Sequence, residues 1–351
     1  MICVYGAGSI GCYVGGRLAA AGADVVLVGR ERLARETAAH GLTLTDLRGA
    51  ELHVPEPDYA TVPEAAAGAD LVLVTVKSAA TAAAAQGLAP HLAPGAVVVS
   101  LQNGLRNAAV LREHLPEAVV LPGMVAFNVV HLGEGRFHQG TVGEVAVQDH
   151  SALDAHATAF ANAGLPLARH ADLTGVQAAK LLLNLNNPVN ALSGLPLKTQ
   201  LSQRDYRRCL GIAVREALEV FRAAGIRPAK TAGLDSRLLP LLFGLPDAVF
   251  TRAAAKMLAM DPLARSSTWD DLEAGRPTEV DYLNGEIAAL AAERGRTAPV
   301  NERLAALVHA AEAGGRRDWS GPELLGEVRR ARSAAAGRPG RTPNRGTLSV
   351  N

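Results

Sequence analysis

Three stretches of this 351-residue chain combine residue types and spacings that could do chemistry. The first is Gly6-Ala7-Gly8-Ser9-Ile10-Gly11, a G-x-G-x-x-G run. It follows the apolar segment Met1 to Tyr5 and precedes a helical face of Ile10, Val14, Leu18 and Ala21. In that setting Gly6 permits a tight turn, Gly8 lets a pyrophosphate approach the backbone, and Gly11 allows close helix–sheet packing. Ala7, Ser9 and Ile10 complete the loop, and the start of the helix adds amide donors and positive partial charge. A dinucleotide is the expected ligand. The segment Asp24 to Val28 then ends at Gly29-Arg30, where an NAD-preferring site commonly carries an acid. A guanidinium there suits the additional phosphate of NADP; a solvated arginine paired with Glu31 is the alternative.

The second stretch is Lys180-Leu181-Leu182-Leu183-Asn184-Leu185-Asn186-Asn187-Pro188. Lys180, Asn184 and Asn187 recur at i, i+4 and i+7, which places them within about 60° on one helix face. An ammonium and two amides so aligned could hold an oxyanion and a hydroxyl and donate a proton, or could form an ordinary solvated face. A buried lysine can titrate close enough to neutrality to act as an acid, whereas an exposed one cannot. Pro188 is expected to kink or end the helix and to free the carbonyl of Asn184. The third stretch runs from Ser266-Ser267-Thr268-Trp269 to Thr278-Glu279-Val280-Asp281. Thr278 reads as a helix cap and Glu279 as a first-turn acid complementing the helix dipole. The same carboxylate could instead hold a substrate hydroxyl.

Elements that would position these groups follow from periodicity. Met1 to Tyr5, Val25 to Val28, Leu71 to Val76, Val97 to Leu101 and Val119 to Leu121 read as buried parallel strands. Helices are expected over Ile10 to Ala21, Arg32 to His40, Thr81 to Leu88 and Arg106 to Leu115. This βαβ rhythm predicts an α/β, Rossmann-type doubly wound domain whose ligand lies beyond the C-terminal ends of its strands. Lys77 and Asn103-Gly104 stand at two such ends; the bland readings are a solvent-facing lysine and a simple turn. Ala126 to Val147 reads as glycine-punctuated strands extending the sheet in antiparallel fashion. Ser151 to Ala163 (helix) and Pro166 to Arg169 (strand) close the domain.

Beyond Asp172 the sequence is mostly helical, with stretches at Leu173 to Asn187, Tyr206 to Ala224, Leu238 to Met260 and Glu279 to Glu293. The expected division is an NADP-binding domain at 1–170, a helical substrate or catalytic domain at 171–328 and a disordered basic tail at 329–351. Arg329, Arg330, Arg332, Arg338, Arg341 and Arg345 lie in that tail, and without them 29 basic residues face 34 acidic ones. A body near −5 is a poor partner for nucleic acid. Cys3, Cys12 and Cys209 form no CxxC pair, which suggests neither a zinc site nor a disulfide framework and fits a reducing cytosol. The ten histidines form no HExxH motif, so metal catalysis is not expected. No apolar run approaches the roughly 20 residues that cross a bilayer, and a cytoplasmic protein is expected.

Across residues 1 to 310 the chain resembles the ketopantoate reductase (2-dehydropantoate 2-reductase) family. The motifs are Gly6 to Gly11, Arg30, Val76-Lys77, Leu101-Gln102-Asn103-Gly104, Lys180-Leu181 with Asn184, and Ser267 with Thr278-Glu279-Val280-Asp281 and Asn284-Gly285. The resemblance implies a Rossmann domain binding NADPH, joined to a helical domain similar to that of 6-phosphogluconate dehydrogenase. It implies hydride transfer from NADPH to the C2 keto carbon of ketopantoate in pantothenate and coenzyme A biosynthesis, with Lys180 as proton donor and Glu279 as its orienting partner. Asn103 would touch nicotinamide and substrate, Asn184, Asn187 and Ser267 would bind substrate, and Lys77 and Ala126 would border the cofactor. The chain departs from the family pattern at Ala80, where a glutamine is common, and at Pro188, where a second substrate asparagine commonly stands; Asn187 comes one residue early. The alternatives are a reductase of another small branched 2-oxoacid and a non-catalytic NADP sensor. A homodimer is one option for its assembly.

Overall fold

The computed structural model describes residues 1–231, 233–255, 257–258 and 261–336. The strands are β1 (Ile2–Tyr5), β2 (Val25–Val28), β3 (Leu42–Asp46), β4 (Glu51–Val54), β5 (Tyr59–Ala60) and β6 (Leu71–Val74). They continue as β7 (Val97–Ser100), β8 (Val119–Val125), β9 (Val129–Gly133), β10 (Arg136–Gln139), β11 (Val145–Gln148) and β12 (Leu167–His170). Eight form one sheet in the order β12-β11-β8-β7-β6-β1-β2-β5. All its neighbours are parallel except β11 against β8. Strands β1, β2, β6 and β7 are almost wholly buried because helices cover both faces, which is why they read as unbroken apolar runs. The chain leaves β1 toward β2 on one side and later returns to β6 on the other, so the strand order reverses there. Such a reversal opens a crevice at the C-terminal edge of the sheet.

Helices α1 (Ser9–Ala20), α2 (Glu31–His40), α3 (Thr81–Leu88), α4 (Asn107–His114) and α5 (Ala157–Asn162) belong to this half. Helix α1 is held between two sheets. A Cβ on Gly15 would strike Leu27 of β2 and lie 2.9 Å from Val4 of β1. On the next residue, Gly16, it would lie 2.9 Å from Leu44 of β3. Leu44 belongs to a second sheet in the order β4-β3-β10-β9. The expectation that residues 126–147 extend the main sheet therefore holds for β11 and fails for β9 and β10. The β3–β4 hairpin offers β10 a parallel edge, paired from Arg136 with Thr43 to Gln139 with Asp46.

After β12 the fold turns helical: α6 (Leu173–Asn184), α7 (Asn186–Ser193), α8 (Leu197–Ser202), α9 (Arg204–Ala224), α10 (Leu239–Gly244), α11 (Asp247–Ala253), α12 (Ser267–Glu273), α13 (Asn284–Glu293), α14 (Pro299–Glu312) and α15 (Gly321–Ala336). Its central helix is α9, whose Leu210, Val214, Ala217 and Phe221 pack with Leu181, Leu182 and Leu185. None of the described helices is long and apolar enough to cross a membrane. Burial raises all three thiols, Cys3, Cys12 and Cys209, to about 12, which makes them packing residues.

Several expectations change in this half. The helix from Leu173 stops at Asn184 and resumes at Asn186, because Pro188 has no N–H to offer the carbonyl of Asn184. The stretch from Leu238 begins as two short helices broken at Leu245-Pro246; its residues 256, 259 and 260 lie outside the described set. Fully buried Arg207 fastens that break, donating to the Leu245 carbonyl at 2.7 Å and to Asp247 at 2.8 Å. Residues 329–336 of the expected disordered tail continue α15, which is anchored by buried Leu324, Leu325 and Val328. The remainder, 337–351, lies outside the described residues.

The clamped helix generates a test. Gly15→Val should lower the urea midpoint by the equivalent of ~1–3 kcal/mol of overpacking, with little change in slope. An unchanged midpoint would mean that α1 is not held between the sheets.

Candidate active site

Gly6, with φ of +105°, turns the chain away from β1, and a Cβ there would run into the backbone of Val76. One at Gly11 would sit 2.7 Å from the Thr75 hydroxyl and 2.9 Å from the Gly6 carbonyl. Thr75 donates to that carbonyl at 2.8 Å and stitches the loop to the end of β6. Gly8 differs, because an added Cβ would meet only the Gly6 carbonyl, at 3.8 Å. No protein packing demands glycine at that position, and α1 begins just after it without a side-chain cap. The space at Gly8 is thus a cradle that a side chain would fill, beside unshielded amides of Ser9 and Ile10. Ala7 is buried, its carbonyl accepting the Tyr59 hydroxyl at 3.0 Å. Arg30 is exposed at the start of α2, close enough to Tyr59 to act on its hydroxyl electrostatically. Glu31, its expected alternative partner, pairs with Arg35 at 3.6 Å.

The last turn of α6 presents Lys180 toward the same edge. Its Nζ donates to the Val125 carbonyl, at the end of β8, at 2.6 Å. Leu181 and Leu182 on the neighbouring faces are buried, and Lys180 itself is half-buried. Burial pushes its pKa down from 10.5 to about 8, against the attraction of Glu279, which acts in the opposite direction. A cleft of about 190 Å³ including its mouth is lined by Gln102, Asn103, Gly104, Met124, Gln177, Lys180, Leu181 and Asn184. Side-chain amides and one ammonium thus converge on a narrow polar cleft.

Glu279 closes the site from the helical half. Its carboxylate accepts the Ser78 amide at 2.9 Å and the Asn103 side-chain amide at 3.2 Å. Asn103 is held in turn, its carbonyl accepting Ser78 Oγ at 3.1 Å and Asn107 Nδ2 at 2.6 Å. Glu279 therefore does not serve the dipole of the following helix: α13 starts only at Asn284, and a short 3₁₀ turn, Val280–Tyr282, intervenes. That turn is fixed from outside. Glu312 accepts the Thr278 amide at 2.8 Å, and His309 places its ring nitrogens 2.8 Å from Asp281 and 2.8 Å from Glu312. Those two carboxylates raise the His309 pKa.

Other contacts tie the two halves together. Lys77 meets Asp271 at 2.8 Å and donates to the Pro277 carbonyl at 2.9 Å. Arg106, just after the Asn103 loop, bonds Glu286 at 2.6 Å and Glu293 at 2.7 Å.

The structure thus brings Lys180, Asn184, Asn103 and Glu279 together, with Ala126 adjoining the carbonyl that Lys180 holds. Asn187 and Ser267 share a bond at 3.4 Å and do not line the cleft. Lys77 faces the helical half in place of an open cofactor groove. The sequence reading overlooked Ser78, Met124, Gln177 and Arg106. Only Gln177 carried a local signal, standing one turn before Lys180.

Residues 2–152 match the family model described as ketopantoate reductase PanE/ApbA, and residues 172–312 match that of its C-terminal domain. A 2-dehydropantoate 2-reductase of Halobacterium salinarum is 32% identical over 325 residues, covering 90% of this chain and 99% of that protein. The solved PanE/ApbA family ketopantoate reductase of Ralstonia eutropha is similar at a TM-score of 0.77 and 33% identity, over 89% of this chain and 98% of that one. A D-mandelate dehydrogenase solved with NADH and anilino(oxo)acetate shares the fold at a TM-score of 0.74 and 20% identity, over 89% and 98% of the two chains.

The lowered lysine pKa predicts how stability varies with pH. Between about 8 and 10.5 the unfolded chain binds the Lys180 proton more tightly than the folded one, so stability rises with pH across that window. The shift corresponds to a folding cost on the order of 3 kcal/mol below pH 8. Lys180→Met should flatten that rise in denaturation series run across the window; an undiminished rise would show that another group causes it.

Proposed function

As the chain belongs to the ketopantoate reductase family, we propose that it is an oxidoreductase that reduces 2-dehydropantoate (ketopantoate) to pantoate with NADPH. The observation that carries this reading is the Lys180 ammonium, half-buried in a cleft at the C-terminal edge of the sheet and directed by the Val125 carbonyl. The glycine loop fits a dinucleotide, because the cradle at Gly8 is open while Gly6 and Gly11 are glycine for packing reasons. Arg30 supports NADPH over NADH: it is exposed and has no ion pair among the described residues. The D-mandelate dehydrogenase complexes contain NADH, and the Arg30 comparison below separates the two cofactors.

The reduced nicotinamide, when bound, supplies the hydride for the C2 keto carbon. Lys180 supplies the proton. As negative charge develops on the keto oxygen, a positioned ammonium with a pKa near 8 stabilises it and transfers H⁺, leaving a neutral amine and a 2-hydroxy acid. Solvent returns the proton to the amine. Glu279 keeps the ammonium charged against desolvation and, through its bond to the Asn103 amide, holds Asn103 at the rim of the cleft. Asn184 and Asn103 offer amide donors to the substrate carboxylate. Fixing donor and acceptor in this way removes orientational freedom from the reacting pair.

A second reading, reduction of another small branched 2-oxoacid, gains support from Asn187, which bonds Ser267 outside the cleft. NADPH oxidation assayed with ketopantoate beside a panel of 2-oxoacids separates the two by kcat/KM. Lys180→Ala should lower kcat by about 10²–10⁴-fold and leave NADPH binding intact; an unchanged kcat removes the proposed acid. In the native protein kcat/KM should fall as pH rises through about 8, where Lys180 loses its proton. Arg30→Ala should weaken NADPH by ~1.5–3 kcal/mol, roughly 10- to 150-fold, and spare NADH; equal losses for both cofactors would contradict phosphate recognition.

A further inference from the structure

We infer that Gln177 reads a hydroxyl group on the chain of the 2-oxoacid and thereby sets substrate preference, an inference that rests on the reductase reading above. Gln177 stands three residues before Lys180 and seven before Asn184, and the three share one face of α6 along the cleft. Its Nε2 donates to the Gly123 carbonyl at 3.2 Å. That carbonyl is rigidly held: a Cβ on Gly123 would lie 2.9 Å from Leu101, from the Ser100 carbonyl and from Val99, so β8 has no room to shift toward β7. Only the amide nitrogen can donate to a carbonyl, so this bond fixes which way the carboxamide is turned. Its Oε1 is left as an acceptor, and among the described residues no donor reaches it.

The surroundings make that acceptor selective. Met124 and Leu181, both buried, form apolar wall beside it. Gln177 is only half-buried, so its free Oε1 can be hydrated; an occupant that displaces this water without bringing a donor leaves the acceptor unsatisfied and is disfavoured. A carboxylate, which only accepts when ionised, would be repelled there. It belongs at the other end, where Lys180, Asn103 and Asn184 supply donors. This polarity orients the substrate: carboxylate and keto oxygen toward Lys180, and branched chain toward Met124 and Gln177. A hydroxyl on that chain donates to Oε1, while its methyl groups lie against Met124. Gln177 takes no part in hydride or proton transfer, so its effect falls on the choice between substrates.

The test compares ketopantoate with the same acid lacking its hydroxyl, 3,3-dimethyl-2-oxobutanoate, in NADPH oxidation by the full chain and by Gln177→Leu and Gln177→Met. NADPH titration by fluorescence verifies that each variant is folded. The native protein should favour the hydroxylated acid by about five- to tenfold in kcat/KM, the equivalent of one net hydrogen bond. Both variants should reduce that ratio to within about threefold while retaining kcat on the acid without a hydroxyl. An unchanged ratio in a folded variant overturns the inference, as does a native protein that reduces both acids equally well; either result leaves the reductase reading intact. A native protein that reduces neither acid removes both.

Discussion

The arrangement of this protein turns on one charge partly withdrawn from water. Lys180 is placed where burial works against its ammonium, and only the Val125 carbonyl and the field of Glu279 offset that burial. Remove either and the balance between amine and ammonium shifts; keep both and the group titrates within reach of neutral pH. The two supports come from distant parts of the chain, the end of a central strand and a turn 99 residues after the lysine. The position of the helical half against the sheet therefore sets how close the carboxylate stands to the amine.

That position is itself held by polar contacts. The bonds from Ser78 and Asn103 to Glu279 connect the ends of β6 and β7 directly to the turn before α13. Lys77 with Asp271, and Arg106 with Glu286, flank this contact on the same two loops. Polar contacts of this kind exchange with water more readily than an apolar interface. The glycine loop stands apart as a rigid feature: Thr75 pins it to β6, and α1 behind it is wedged between two sheets. The cradle at Gly8 is thus preformed, while the cleft beside Lys180 is assembled from both halves.

Much of this is legible in the amino-acid sequence because it is local. Four-residue apolar runs between helices announce buried parallel strands, and the glycine spacing announces a cradle at a strand end. The Lys180–Asn184 spacing announces a shared face. What could not be read depends on contacts across the fold. Nothing near Arg136 signals that β10 leaves the main sheet for β3, since the partner lies about ninety residues earlier. Thr278-Glu279 has the local signature of a helix start, yet Ser78 and Asn103, far back in the chain, capture its carboxylate. Asn187 shares the helical spacing of Lys180 and Asn184, but the break before Pro188 turns it toward Ser267. Arg329 to Ala336 resembles a basic tail by composition and is helical because the preceding turns are anchored in the core.

The central claim, that Lys180 is a desolvated acid poised near neutrality, is tested most directly by labelling the lysine side chains with ¹³C, assigning Lys180 by its absence in a Lys180→Arg protein, and following its Cε resonance with pH. A midpoint near 8 is the predicted result. A midpoint at the ordinary value of 10.5 would contradict the account, because an amine that titrates as it does in water is not held in the way described.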